Sequence, residues 1–214
     1  MEYKGLQINW LGHAGFQIKS QITIYIDPFK IKISESADAI LITHEHFDHC
    51  SLEDIQKIIK PDTVVFGPAD IQSKLAKISR EIKFQVILPG DAVAFKDIKI
   101  RAYPAYNINK QFHPKGNHWL GYLIDINGVR IYHAGDSDAI PEMKELKNLD
   151  LFMVPIGGTY TMNIKESAQL CNSIMPKIAI PMHYGSVIGT NDDALNFKKL
   201  CKCSVQILDL NNFL

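Results

Sequence analysis

Residues 39–49 read Ala39-Ile40-Leu41-Ile42-Thr43-His44-Glu45-His46-Phe47-Asp48-His49. The first five form an apolar run of strand length, and such a run bounded by polar residues reads as a central, fully buried strand. The remaining six hold three imidazoles and two carboxylates. Desolvating that much polar chemistry at a strand end is costly unless it gains a partner. A metal ion is that partner, because imidazole and carboxylate are ordinary ligands for borderline cations. If the chain stays extended past Thr43, His44 and His46 point the same way, which suits one zinc-like ion. A turn at Phe47-Asp48 then carries Asp48 and His49 to a second point. Two ions about 3.5–4 Å apart can hold both the attacking and the leaving oxygens of a displacement.

Working outward, β-formers at 6–10, 16–19 and 22–26 read as short strands separated by turns at Gly12, Gly15 and Ser20-Gln21, the last strand stopped by Asp27-Pro28. Residues 51–60 have helical periodicity, with Ser51 as N-cap and Leu52, Ile55, Ile58 and Ile59 on one face. A strand at 64–66, a helix over 70–78 and strands at 84–88, 93–95 and 99–103 follow. The polar stretch 107–119 is a long irregular loop, a class of loop that is usually functional. Strands at 120–126 and 129–133 flank Asn127-Gly128, the strongest short hairpin signal. Then come a short helix at 141–146, a strand at 151–155, a helix capped by Asn163 and Glu166 running to about 175, a strand at 178–181, a helix at 192–200 and a strand at 205–208. No linker, repeat or charge block divides the chain. The expectation is one α/β domain over 1–214, with sheets packed on each other and helices outside.

The chain has 214 residues, 23 Lys plus Arg against 23 Asp plus Glu, so its formal net charge is zero. That disfavours a broad basic footprint for nucleic acid or an anionic membrane. The N-terminus lacks a charged leader with an apolar core, and no run is long enough to span a bilayer, so a cytoplasmic protein without membrane insertion is expected. The four cysteines, Cys50, Cys171, Cys201 and Cys203, show neither Cys-x-x-Cys nor zinc-ribbon spacing and read as free thiols.

The His-x-His-x-Asp-His run resembles the signature of the metallo-β-lactamase superfamily. Leu11-Gly12-His13-Ala14-Gly15-Phe16, Asp27-Pro28-Phe29, Ile131-Tyr132-His133-Ala134-Gly135-Asp136 and Ile180-Pro181-Met182-His183-Tyr184-Gly185 resemble its further motifs, in the right order. The stretch from Leu149 to Met162 is similar to that of small metal-dependent hydrolases related to ascorbate-6-phosphate lactonase. The resemblance implies a four-layer αβ/βα sandwich with two divalent metals. His44 and His46 would bind the first, Asp48, His49 and His183 the second, and Asp136 would bridge them. The family's third first-site histidine has no counterpart after residues 99–103, where the chain reads Tyr103-Pro104-Ala105-Tyr106-Asn107. His113, the next histidine downstream, is taken as that ligand. His13 is assigned an orienting or substrate-binding role, and Lys115 a contact to a substrate phosphate or carboxylate. His133 reads as a satisfied core histidine and His118 as a rim residue.

The chemistry expected is hydrolysis of an ester-type bond (lactone, thioester, amide or phosphodiester) by a metal-bound hydroxide, with Asp48 and Asp136 as the catalytic carboxylates. No Gly-x-Ser-x-Gly elbow offers a competing nucleophile. Zinc is the expected metal, with manganese, iron and nickel as alternatives for the same ligands. Zero net charge and the short chain favour a small or lipid-like substrate over nucleic acid. The alternatives are a nuclease or phosphodiesterase, and a non-hydrolytic sensor or redox protein with a degenerate site. A homo-oligomer is compatible with the sequence.

Overall fold

A computed structural model describes residues 1–32, 35–78 and 82–210. The described residues fall into two compact units, one drawn from 1–87 with 208–210 and the other from 88–207.

The first unit carries a seven-stranded mixed sheet in sequential order. Strands β1 (Glu2–Tyr3), β2 (Leu6–Gly12), β3 (Gly15–Lys19) and β4 (Thr23–Ile26) form an antiparallel meander. From β4 onward the pairing is parallel, through β5 (Ala39–Leu41), β6 (Val64–Gly67) and β7 (Lys83–Val86). Parallel neighbours need long crossovers. One is built on α1 (Leu52–Ile58), whose N-cap Ser51 accepts the Asp54 N–H, and another on a short 3₁₀ turn (Ala69–Ile71) running into α2 (Gln72–Leu75). The expected helix over 70–78 is thus a broken one, shorter than its periodicity suggested. Ile55 and Ile58 of α1 pack with Ile40, Ile42 and Val65 in one apolar cluster. Burial is complete through β5 and on to Ile42, the residue after it, as expected for a central parallel strand.

The second unit has the same plan. Strands β8 (Ala92–Phe95), β9 (Ile98–Pro104), β10 (Leu120–Ile126) and β11 (Val129–His133) are antiparallel, with β12 (Leu151–Pro155), β13 (Ile178–Met182) and β14 (Ser204–Val205) parallel beyond them. The β10–β11 hairpin turns at Asn127-Gly128, both with positive φ, as a type I′ turn requires. Ile98, Ile100 and Ala102 of β9 are buried while Lys99 and Arg101 are exposed, so this end of the sheet is covered on one face. Helix α3 (Ile164–Ile174) opens on an Asn163–Glu166 capping box, and Ser167 Oγ donates to Pro155 O at 2.6 Å, tying it to β12. Helix α4 (Asn191–Leu200) precedes β14, which is only two residues long rather than the four expected. Among the described residues, no helix is long and apolar enough to cross a membrane.

In each unit the pairing changes from antiparallel to parallel at one strand, β4 or β11. Open α/β sheets bind ligands outside the carboxyl ends of their strands. Asp27 directly follows β4, His44 to His49 follow β5, Asp136 follows β11, and His183 follows β13.

Candidate metal centre

In the first unit Asp27 organises the histidines. Its side chain is fully buried, and its Oδ1 accepts the Thr43 N–H at 2.8 Å. Its Oδ2 accepts from the Thr43 hydroxyl at 2.5 Å and stands 2.7 Å from His49 Nδ1. Because Thr43 gives its one proton to Asp27, its oxygen accepts from His44 Nδ1, 2.9 Å away. Both His44 and His49 therefore carry their proton on Nδ1 and present the Nε2 lone pair, the form in which imidazole binds metal. His44 Nε2 lies 3.1 Å from His46 Nδ1, close enough for both nitrogens to serve one ion. The His44 and His49 rings lie against each other at a tilt of 42°, with centroids 4.0 Å apart. Asp48 turns toward His13, with Oδ2 2.9 Å from His13 Nε2 and 3.9 Å from His49 Nε2.

In the second unit Asp136 takes the central place. Its Oδ2 is 2.9 Å from His183 Nε2 and 3.4 Å from His113 Nε2, and all three side chains are buried. His113 Nδ1 faces two acceptors, Asn107 Oδ1 and the Tyr160 carbonyl, each at 3.1 Å. Asn107 Nδ2 itself donates to Asp138 Oδ1 and Tyr160 O, which orients its Oδ1 toward His113. So Nδ1 carries the proton, and the Nε2 lone pair faces a carboxylate oxygen. Two acceptors 3.4 Å apart repel in a buried site, and a shared cation removes that repulsion. The donor set fits a divalent metal on this ground.

Asp138 fixes the long loop: its carboxylate accepts from the Ile108 N–H at 2.8 Å, binds Asn107 and pairs with Lys110. Lys115 is exposed. It bonds Tyr106 Oη at 3.2 Å and pairs with Glu142 at 3.1 Å, and these two contacts raise its pKa. Burial works to raise the Glu142 pKa, but its own backbone N–H, Lys115 and Tyr106 outweigh it and hold that carboxyl below the usual range. His133 accepts the Gly135 N–H at 3.2 Å in the core, and His118 is exposed on the loop, as read from the sequence.

His13, Asp27 and His183 have φ of 53°, 43° and 60°. Left-handed backbone at such residues costs about 1–2 kcal/mol each and clusters at functional sites. Gly157 makes room for His183: a Cβ there would sit 2.7 Å from His183 O and 3.0 Å from its Nδ1. Sequence reasoning did not assign the roles of Asp27, Thr43, Asn107, Asp138 and Gly157. Only Asp27-Pro28 carried a visible signal, an acid at a strand end.

A family model described as a β-lactamase superfamily domain matches residues 7–183. The UPF0173 metal-dependent hydrolase of Thermoplasma acidophilum is 33% identical over 210 residues, covering 92% of this chain and 91% of its own. That of Archaeoglobus fulgidus is 32% identical over 215 residues, covering 92% and 91%. A solved structure from Parabacteroides distasonis is 32% identical with a TM-score of 0.84, covering 96% of this chain and 94% of its own. With the fold, the clustered imidazoles and carboxylates, and these relatives in agreement, the chain belongs to the metallo-β-lactamase superfamily and, within it, to the UPF0173 metal-dependent hydrolases.

Proposed function

We propose that residues 1–214 act as one catalytic domain that binds two divalent ions, zinc before manganese, iron or nickel, and hydrolyses an ester-type bond in a small or lipid-like substrate. In this reading His44, His46 and His113 hold one ion, Asp48, His49 and His183 the other, and Asp136 is shared. Bound metal supplies Lewis acidity and brings the pKa of water toward neutrality. Asp48 and Asp136 orient the attacking water and take its proton at a carboxylate oxygen. His13 holds Asp48 for that task and borders the substrate. Lys115 exchanges Glu142 for an anionic group of the substrate, a swap of one exposed pair for another that adds selectivity more than affinity.

The observation that carries the metal assignment is the set of acceptors facing Nδ1 of three imidazoles, His44, His49 and His113. Each has an oxygen 2.7–3.1 Å from Nδ1, which holds the proton there and leaves Nε2 as the nitrogen presented to a metal. The substrate class is supported by apolar side chains beside the ligands. Phe47, 67% exposed, lies between His46 and Asp48. Phe112, 46% exposed, precedes His113 and meets the Tyr160 ring edge to face with centroids 4.7 Å apart. Exposed rings at such positions fit an apolar substrate body better than a polyanion, in keeping with a net charge of zero. Four free thiols favour a cytoplasmic setting.

The test is metal analysis joined to an assay panel of thioester, lactone, amide and phosphodiester substrates, on the wild type and Asp136→Ala. Two equivalents of metal, turnover of a carbonyl substrate and its abolition in the folded variant are expected. Iron without turnover, or turnover confined to nucleic acid, overturns the reading.

A further inference from the structure

Helix α2 is short, yet two of its neighbouring side chains anchor it in the first unit. Ile71 and Leu75, one helical turn apart, are buried in the apolar cluster that also holds Ile40 and Ile42. Gly67 admits Ile71 at close range, since a Cβ there would sit 2.5 Å from Ile71 Cδ1. Lys74 precedes Leu75 and reaches the ligand run after β5, 29 residues away in sequence. Its Nζ donates to the Glu45 carbonyl oxygen and stands 3.1 Å from Oε2 of the same residue. Glu45 lies between His44 and His46. Its carbonyl belongs to the peptide group that leads into His46, and that group is planar, so a donor held on the oxygen fixes the direction in which the chain enters His46. Beyond the ring, the His46 carbonyl accepts the His49 N–H at 3.1 Å and the Cys50 N–H at 2.8 Å. The half-buried His46 thus has its backbone held on both sides. The same ammonium occupies the Glu45 carboxylate, a group whose oxygens are ordinary ligands for the same ions.

We infer that Lys74 is a positioning residue for the ion shared by His44 and His46: it holds the Glu45–His46 peptide between the two imidazoles and keeps the Glu45 carboxylate paired. The inference rests on the metal binding proposed above for those two residues. Lys74 itself contacts neither imidazole ring; it acts through Glu45. The sign of the effect separates this role from a through-space one. An ammonium repels a nearby divalent ion, so removing its charge, and with it the neutralisation of Glu45, tightens metal binding by Coulomb's law alone. Losing the clamp does the opposite, because His46 must then be ordered as the metal binds, at a cost in conformational entropy. Partners that orient metal ligands are typically worth 10–100-fold in affinity, so the clamp outweighs the screened charge.

The test measures zinc affinity by competition with a chelator for wild type, Lys74→Met and Lys74→Arg. Lys74→Met, which keeps an unbranched apolar stem without donors, should bind zinc about 10-fold more weakly. Lys74→Arg, which keeps a cationic donor, should stay within about 3-fold of wild type. Thermal midpoints of the metal-free proteins should match, since a partly exposed ion pair contributes little to stability. In the same metal-free proteins, the imidazole nitrogen NMR signals of His46 should shift in Lys74→Met while those of His133 stay in place. Zinc binding by Lys74→Met that is unchanged or tighter, an equal loss in Lys74→Arg, or unmoved His46 signals would each overturn the inference. A wild type that binds no zinc would refute the metal reading instead, and the His46 signals would still decide whether Lys74 positions that ring.

Discussion

Asp27 Oδ2 stands 2.7 Å from His49 Nδ1, and neither side chain has any solvent exposure. The same carboxylate takes the Thr43 proton, and Thr43 in turn takes that of His44. One acid at the end of β4 thereby sets the tautomer of two imidazoles on a neighbouring strand end.

Asp27→Asn keeps the shape but puts a donor where two protons now point. Orienting partners of metal-binding histidines are typically worth 10–100-fold in affinity, so metal binding should weaken by about that factor. Competition against a chelator of known affinity reads it directly. Unchanged affinity would mean that Asp27 does not control the ligand form of His49.

Asn107→Ala removes one of the two acceptors on His113 Nδ1 and the Asn107–Asp138 bond that anchors the loop. On the proposed two-ion reading, one equivalent of metal should be lost at low free metal while the other stays. A titration followed by elemental analysis shows whether the two ions part in this way.

Gly157→Ala places a methyl 2.7 Å from the His183 carbonyl oxygen, and backbone cannot swing aside as a flexible side chain would. A loss of about 1–3 kcal/mol in urea unfolding is expected, together with weaker metal binding through a displaced His183. A variant as stable as the wild type would show that the β12 end is looser than this contact requires.

Tyr25 is fully buried, with its pKa pushed up to about 12 by burial and then by Glu35, against a lowering hydrogen bond from Gln17. An unfolded tyrosine ionises near 10. The folded pKa is the higher one, so the stability tied to the neutral phenol is fully present below about pH 10 and is lost as pH rises toward 12, up to about 2.5 kcal/mol. Denaturant midpoints of wild type and Tyr25→Phe across this window should converge as pH rises. Parallel curves would refute it.

Asn163→Ala removes the cap of α3, where Asn163 Oδ1 accepts the Lys165 and Glu166 N–H groups at 2.9 and 3.0 Å. The cost should be about 1 kcal/mol in unfolding free energy, with metal stoichiometry unchanged. A large change in metal binding would place α3 closer to the chemistry than its exposed cap suggests.

Much of the local structure was legible before any coordinates, because its causes are local. The Asn127-Gly128 turn demands positive φ at both residues, and the Asn163–Glu166 box satisfies helix donors within one turn. Where the signal failed, a tertiary influence outweighed it. Residues 70–78 have helical periodicity, yet only Gln72–Leu75 are α-helical after the 3₁₀ turn. Residues 205–208 have β-formers, yet the ladder with β13 covers only Ser204–Val205, with one further bond from the Gln206 N–H to Ala179 O at 3.0 Å.

For the site, the sequence by itself determined which side chains could bind metal. The ligand run after a buried strand is a matter of residue type and spacing, and the order of the later motifs assigns the chain to its superfamily. What only the tertiary structure decided is the chemical form those ligands take. Proton positions on His44, His49 and His113 depend on Asp27, Thr43, Asn107 and the Tyr160 carbonyl, brought in from up to 47 residues away. A hydrogen bond acts over about 3 Å and has no memory of chain distance, so the partner that sets a tautomer leaves no periodic trace in the sequence for a reader to find.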